Sequence, residues 1–121
     1  MSMRLVRFDH VQLAMPVGRE PEAIAFYVGV LGLRHVPKPP LLATRGGCWF
    51  ENDSLKVHLG VEDDFRPARK AHPAFAVEAL DVLLRTLAEA CVEVRIGDVI
   101  DGVAQRFFDD PFGNRIEVMA A

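Results

Sequence analysis

The chain has 121 residues, of which 50% are apolar, so it is long and apolar enough to form one compact domain rather than a disordered segment. Its formal net charge of -3, with lysines and arginines scattered along the sequence, provides no basic surface for nucleic acid or an anionic membrane. No apolar run approaches the roughly 18 residues of a membrane span, and the two cysteines lack metal or redox spacing, so we expect a soluble protein of the reducing cytoplasm.

The first half of the sequence predicts a strand, a helix and three further strands. Residues 4–15 alternate in polarity, which is typical of a half-buried strand with two different faces. Residues 20–31 carry an apolar stripe at helical spacing, and Gly32 follows as a helix terminator. The remaining strands are predicted at residues 33–36, 45–50 and 55–61.

The second half repeats this order after a polar connection at residues 62–70. Its predicted elements are strands at residues 71–77, 92–96, 103–108 and 115–119 and a helix at residues 80–91. The sequence therefore predicts an α+β fold in which two βαβββ modules, residues 4–61 and 71–119, form a single domain over residues 1–121. Each module is too small to bury its own sheet well, so the two must pack together or the chain must dimerise.

Four metal-capable side chains occupy matching positions in the two modules. They are His10 and His58 in the first and last strands of one module, and His72 and Glu117 in those of the other. Because side chains alternate between the two faces of a strand, each of the four lies opposite the more apolar set. If the helices cover the apolar faces, two such sheets side by side form a cleft lined by these residues. Imidazole and carboxylate groups suit Fe, Mn, Ni, Co or Zn.

A simpler explanation exists for each of these residues taken alone. A histidine on the polar face of a strand is more often solvated than bound to a metal. Their repetition at equivalent positions favours a shared site, whereas His35, the fourth histidine, has no metal-capable counterpart and is assigned a structural role. The sequence therefore predicts a site for one divalent metal ion.

Several short segments carry a family resemblance. They are Asp9-His10-Val11-Gln12-Leu13, residues 25–27, 31–33, 56–59 and 71–75, and, most specifically, Phe107-Phe108-Asp109-Asp110-Pro111-Phe112-Gly113-Asn114-Arg115-Ile116-Glu117. With these segments the chain resembles the vicinal oxygen chelate superfamily, which includes glyoxalase I, extradiol dioxygenases, fosfomycin-resistance enzymes and bleomycin-resistance proteins. The resemblance covers residues 4–119 and implies mixed sheets curled around a cleft.

The resemblance also implies roles for the four candidates. In metal-dependent relatives the ligands lie on the first and last strands of each module, which implies a core of His10, His72 and Glu117. Several relatives have Glu or Gln where this chain has His58, so His58 is either a fourth ligand or a proton acceptor. This departure argues against glyoxalase I chemistry, in which a carboxylate at that position acts as base. The resemblance implies His58 and Glu117 as catalytic groups for substrates whose vicinal oxygens chelate a metal.

Three further residues are candidates for substrate binding. Arg45 and Arg106 lie near the expected cleft and could pair with a substrate carboxylate or phosphate, although surface charge is the simpler explanation. Trp49 and Phe50 are adjacent in a strand, so one of them faces the cleft. Trp49 is the candidate for the cleft side, although aromatic residues at these strand positions are more often part of the core than a substrate platform.

The preferred interpretation is a metal-dependent enzyme acting on a small oxygenated molecule, as a lyase, isomerase, transferase or dioxygenase. Two alternatives remain: a metal-free binding protein of the bleomycin-resistance type, and a subunit whose site is degenerate. We expect a homodimer because two small modules leave much apolar surface and relatives pair in this way. Strand alternation leaves open whether the site forms within one chain or between two.

Overall fold

The computed structural model describes residues 1–121 and contains two modules with the same order of elements. The first consists of β1 (Val11–Met15), α1 (Glu20–Tyr27), β2 (Arg34–Val36), β3 (Cys48–Glu51) and β4 (Lys56–Val61). The second consists of β5 (Ala74–Val77), α2 (Leu80–Glu89), β6 (Arg95–Ile100), β7 (Val103–Asp109) and β8 (Arg115–Ala120). The α+β class and the repeated βαβββ module predicted from the sequence are confirmed. Neither helix is long and apolar enough to cross a membrane.

Each module forms its own four-stranded mixed sheet. The strand orders are β1-β4-β3-β2 and β5-β8-β7-β6. The first strand of each module pairs in parallel with the last, while the hairpin-connected strands pair antiparallel. A parallel pair requires a long crossover connection, which the helix and the intervening strands supply. As a result β1 and β5 lie at sheet edges, and each has one side without a neighbouring strand.

The two modules pack together through their apolar faces. Val57 lies directly opposite Phe50 in the first sheet, Ile116 lies opposite Phe108 in the second, and all four side chains are buried. Residues from both modules form one cluster of 14 buried apolar side chains. Because side chains alternate, the polar face of each sheet is turned away from this common core.

A buried turn between β7 and β8 links the modules. The Oδ1 atom of Asp110 accepts hydrogen bonds from the backbone N–H groups of Phe112 and Asn114, both at 2.9 Å. Its Oδ2 atom accepts one from the Tyr27 hydroxyl on α1 at 2.8 Å. The Asn114 side chain donates in turn to the carbonyl of Ala14 at 2.8 Å. This motif therefore has a structural role in joining the second module to the first.

The first ten residues differ from the sequence-based expectation. The pattern predicts a strand from residue 4, but β1 begins at Val11, and residues 1–10 have no strand partner and are exposed. The parallel pairing of β1 with β4 begins with Val11 opposite Val57, and β4 itself begins only one residue earlier, at Lys56. The segment before Val11 therefore extends past the β3–β4 turn, where there is no backbone to receive its hydrogen bonds.

Helix α1 is also shorter than predicted, ending at Tyr27 rather than at residue 31. The N–H groups of Val30 and Leu31 both donate to the carbonyl of Phe26, at 2.9 and 3.0 Å, so the regular ladder is lost after the helix. Gly32 has φ +74°, the left-handed conformation that commonly closes a helix. Apolar spacing continues through this turn, which is why the pattern alone overestimates the helix.

Candidate functional site

The candidate residues of the first module form a stack of three aromatic rings, the histidine stack His10–His58–Trp49. His58 on β4 lies directly opposite Trp49 on β3, and their rings are parallel within 2° with centroids 3.9 Å apart. The other face of the His58 ring packs on His10, just before β1, with centroids 4.3 Å apart. His58 is buried as a result. The stack holds the His58 ring plane in one orientation.

Local electrostatics give the two histidines of the stack different properties. Burial, followed by the nearby His10, lowers the pKa of His58, so this ring is neutral near pH 7. Nδ1 of His10 lies 2.9 Å from Oδ1 of Asp9. A carboxylate only accepts, so Nδ1 carries the proton of a neutral His10 and Nε2 keeps a free lone pair. That arrangement suits His10 as a metal ligand oriented by Asp9.

The candidate residues of the second module form an ion pair. Nε2 of His72 lies 3.0 Å from Oε1 of Glu117, and Nδ1 of His72 lies 2.9 Å from the backbone carbonyl of Lys70. Both partners are acceptors, so both ring nitrogens donate and His72 is an imidazolium in this arrangement. The Lys70 carbonyl, followed by Glu117, raises the pKa of His72 accordingly. Two ligands about 2.1 Å from one metal ion are separated by about 3.0 to 3.4 Å, so the pair fits adjacent ligands of one ion that would replace the Nε2 proton.

Each candidate pair has an aromatic neighbour on the same face of its sheet. Phe107 on β7 lies directly opposite Glu117 on β8, and its ring forms a T-shaped pair with the His72 ring, with centroids 5.6 Å apart. Trp49 holds the equivalent place beside His58 in the first module. The predicted correspondence of positions in the two modules therefore extends to the packing around the candidate ligands.

The four candidates do not come together in one chain. No group of three or more His, Cys, Asp or Glu side chains has the geometry to hold a metal ion. The structure brings together His10 with His58, and His72 with Glu117, but it keeps the two pairs apart. The reason is the shared core, since modules packed through their apolar faces turn their polar faces away from it. One chain thus presents two half-sites, each with two candidate ligands.

Neither of the two predicted arginines shares a sheet face with a half-site. Arg45 is exposed at the end of the short helix Ala43–Arg45. Arg106 lies opposite Val118, on the face of the second sheet that carries the apolar core, whereas Glu117 is on the other face. Trp49 is the one substrate-binding candidate that lies beside a half-site.

Sequence reasoning did not single out Arg115, which the structure places beside the second half-site. This arginine is on the same strand and the same face as Glu117, and its guanidinium lies over the Phe107 ring, 5.6 Å from the centroid. The signal that could have found it is the two-residue spacing from Glu117, because residues i and i+2 of a strand share a face.

Comparisons with known proteins agree with this architecture. The family model of the Glyoxalase/Bleomycin resistance protein/Dioxygenase superfamily matches residues 7–118. The structure is similar to that of a putative glyoxalase family protein from Bacillus anthracis, with 44% identity, a TM-score of 0.92 and coverage of 99% of this chain and 98% of that one. No curated protein sequence matches the chain.

More distant relatives share the fold. A glyoxalase/dioxygenase from Nostoc punctiforme matches with 22% identity and a TM-score of 0.71, over 98% of this chain and 96% of that one. The fosfomycin resistance protein FosX from Listeria monocytogenes matches with 15% identity and a TM-score of 0.75, over 98% and 95% of the two chains. The chain therefore belongs to the Glyoxalase/Bleomycin resistance protein/Dioxygenase superfamily, the vicinal oxygen chelate superfamily that its sequence motifs resemble.

Proposed function

We propose that the protein is a cytoplasmic, homodimeric enzyme that uses a divalent metal ion to act on a small molecule with vicinal oxygen atoms. His10, His72 and Glu117 would hold the ion, with His58 as fourth ligand or proton acceptor. The observation that carries this proposal is the His72–Glu117 pair, whose 3.0 Å separation suits two ligands of one ion. The chemistry of the four donors suits Fe, Mn, Ni, Co or Zn.

The separation of the two half-sites supports a site shared between two chains. Strands β1 and β5 are edge strands, and each lies beside one of the half-sites. A second copy that placed its β5 alongside β1 would pair two unpaired edges and join the two sheets. His10 and His58 of one chain would then face the partner's His72 and the partner's Glu117. A symmetric dimer would contain two such sites.

Apolar surface at the N-terminus also supports dimerisation. Large apolar side chains of the first ten residues are exposed in the single chain, among them Leu5 at 89% and Phe8 at 97%. The alternating pattern of this segment is that of a strand, yet it has no partner within the chain. Contiguous apolar surface of this kind is typical of interaction sites. A partner chain would supply backbone hydrogen-bond partners for this segment and would bury its apolar side chains.

The residues of the two half-sites would have different roles in catalysis. The bound ion would polarise the substrate oxygens and stabilise negative charge developing on them. His58 is buried and neutral near pH 7, and Trp49 and His10 hold its ring plane, so it can accept a proton from a substrate carbon or oxygen when it is not itself a ligand. Asp9 would keep the His10 ring oriented through Nδ1. Phe107 and Trp49 would limit water at either side of the cleft.

Elemental analysis of untagged protein tests this proposal. We expect about one divalent ion per chain, removed by a chelator and restored by incubation with one of the five candidate metals. A His35→Ala variant is a matched control, because this histidine packs against Phe50 and lies outside both half-sites. Its metal content should equal that of the wild type. Failure of the wild type to retain any of the five metals would contradict the proposed function.

A metal-free binding protein is the second candidate function. The observation in its favour is a cavity of about 750 Å³ between the modules, lined mainly by apolar residues such as Leu55, Phe75 and Leu83. This volume suits a small ligand. The cavity contains neither half-site, so a protein that functions through it would bind ligand equally well with and without a chelator.

A further inference from the structure

Arg115 is placed where it can contact a molecule bound at the second half-site. It begins β8 and shares the face of Glu117, two residues further along the strand. Its guanidinium lies over the ring of Phe107, which also contacts His72. The four side chains thus form one continuous surface, with a positive charge at one end and the His72–Glu117 pair at the other.

The carboxylates nearest to Arg115 are already engaged by other partners. Asp109 is its cross-strand neighbour, but Oδ1 of Asp109 accepts a hydrogen bond from Arg95 at 2.8 Å. Glu117 is bonded to His72 at 3.0 Å. None of the ion pairs of the chain includes Arg115, so no carboxylate of the protein forms a salt bridge with its guanidinium.

Contact with Phe107 leaves the hydrogen-bonding groups of Arg115 available. The Arg115 guanidinium lies over the Phe107 ring and makes no hydrogen bond within the protein, so its N–H donors can bind a carboxylate or phosphate by two parallel bonds.

We propose that Arg115 binds an oxyanionic group of the substrate, a carboxylate or a phosphate, and so selects anionic substrates for this cleft. This inference rests on the proposed function, because it assigns a substrate class to the same site. It differs from the sequence-based assignment of Arg45 and Arg106, neither of which shares a sheet face with Glu117.

Calorimetric titration with inorganic phosphate, and separately with malonate, tests the anion site. Both titrations use full-length protein, as purified and after chelator treatment. Substitution Arg115→Gln should weaken binding of the preferred anion by roughly 10- to 100-fold, because it removes a charge-assisted bidentate contact. Arg115→Lys should retain part of the affinity, since lysine keeps the positive charge but cannot form the two parallel hydrogen bonds of a guanidinium. Whether phosphate or malonate binds more tightly identifies the class of oxyanion.

Arg85→Gln is the matched control, because it removes the same charge from an exposed position on α2. Affinity equal to the wild type in this control, together with unchanged metal content in Arg115→Gln, supports a specific anion site. The proposal is overturned if the wild type binds neither anion, or if Arg115→Gln binds as tightly as the wild type. Arg115-dependent binding in a protein that takes up no metal would support the anion site while refuting the metal-dependent function.

Discussion

Replacement of Glu117 by Gln is expected to lower metal affinity by ~100-fold or more, because it removes the only carboxylate among the four candidate ligands. Glu117 also lies 3.0 Å from His72, so the variant leaves that imidazole without its negative partner. Metal titration followed by elemental analysis measures the loss. Glu62→Gln, at an exposed position in the connection between modules, is the control and should bind metal like the wild type.

The same variant has a consequence that appears in metal-free protein. The Lys70 carbonyl and then Glu117 raise the pKa of His72 above its usual value, so protonation of His72 stabilises the fold. That stabilisation is complete below the unfolded pKa of about 6.5 and is lost as pH rises through the folded pKa. The free energy of unfolding lost in Glu117→Gln should therefore be larger at pH 5.5 than at pH 8.5. An equal loss at both pH values would argue against the ion pair.

Asp110→Ala is expected to destabilise the fold by about 3 to 5 kcal/mol, the largest effect on stability predicted for a single substitution in this chain. Asp110 is buried and accepts four hydrogen bonds, from Tyr27, from the Asn114 side chain, and from the N–H groups of Phe112 and Asn114. Its removal leaves the buried Tyr27 hydroxyl unpaired between the two modules. Denaturant unfolding of metal-free protein measures the change.

Tyr27→Phe removes only the hydrogen bond between the modules and leaves the hydrogen bonds within the β7–β8 turn intact. Burial and the charge of Asp110 raise the pKa of Tyr27, so its hydroxyl remains a donor across the usual pH range. Loss of this one bond should cost about 1 to 2 kcal/mol, clearly less than Asp110→Ala. If the two variants lost the same free energy, the backbone bonds of the turn would contribute nothing, and the structural role assigned to Asp110 would be wrong.

The sequence predicts the repeated fold well because its two modules carry separate, regular patterns. The alternation in residues 55–61 places His58 opposite the face of Val57 and Leu59, and the structure has the same arrangement. The helix at Leu80–Glu89 and the strand at Arg115–Ala120 also lie close to their predicted ranges. Each of these elements is determined mainly by which side chains its own module can bury.

Element ends and long-range arrangement were harder to predict. Strand β6 spans Arg95–Ile100 rather than residues 92–96, because its bounds depend on register with β7, which shifts between Ile96 and Val99. The two half-sites stay apart because the modules of one chain pack against each other through their apolar faces. The alternation of side chains within a strand shows which face is apolar, but it does not show how the two modules are arranged. Alternation does correctly put Arg115 on the same sheet face as Glu117, and Arg106 on the same face as Phe108.

A metal site completed by two chains is tested most directly by mixing two variants that are each defective in metal binding. Each of His10→Ala and Glu117→Gln should bind little metal alone. In a dimer of one chain of each kind, the intact first module of one chain meets the intact second module of the other. Elemental analysis after co-refolding equal amounts should therefore recover about one-quarter of the wild-type metal, as expected for random pairing in a symmetric dimer. Metal content no higher than in the separate variants would contradict a shared site.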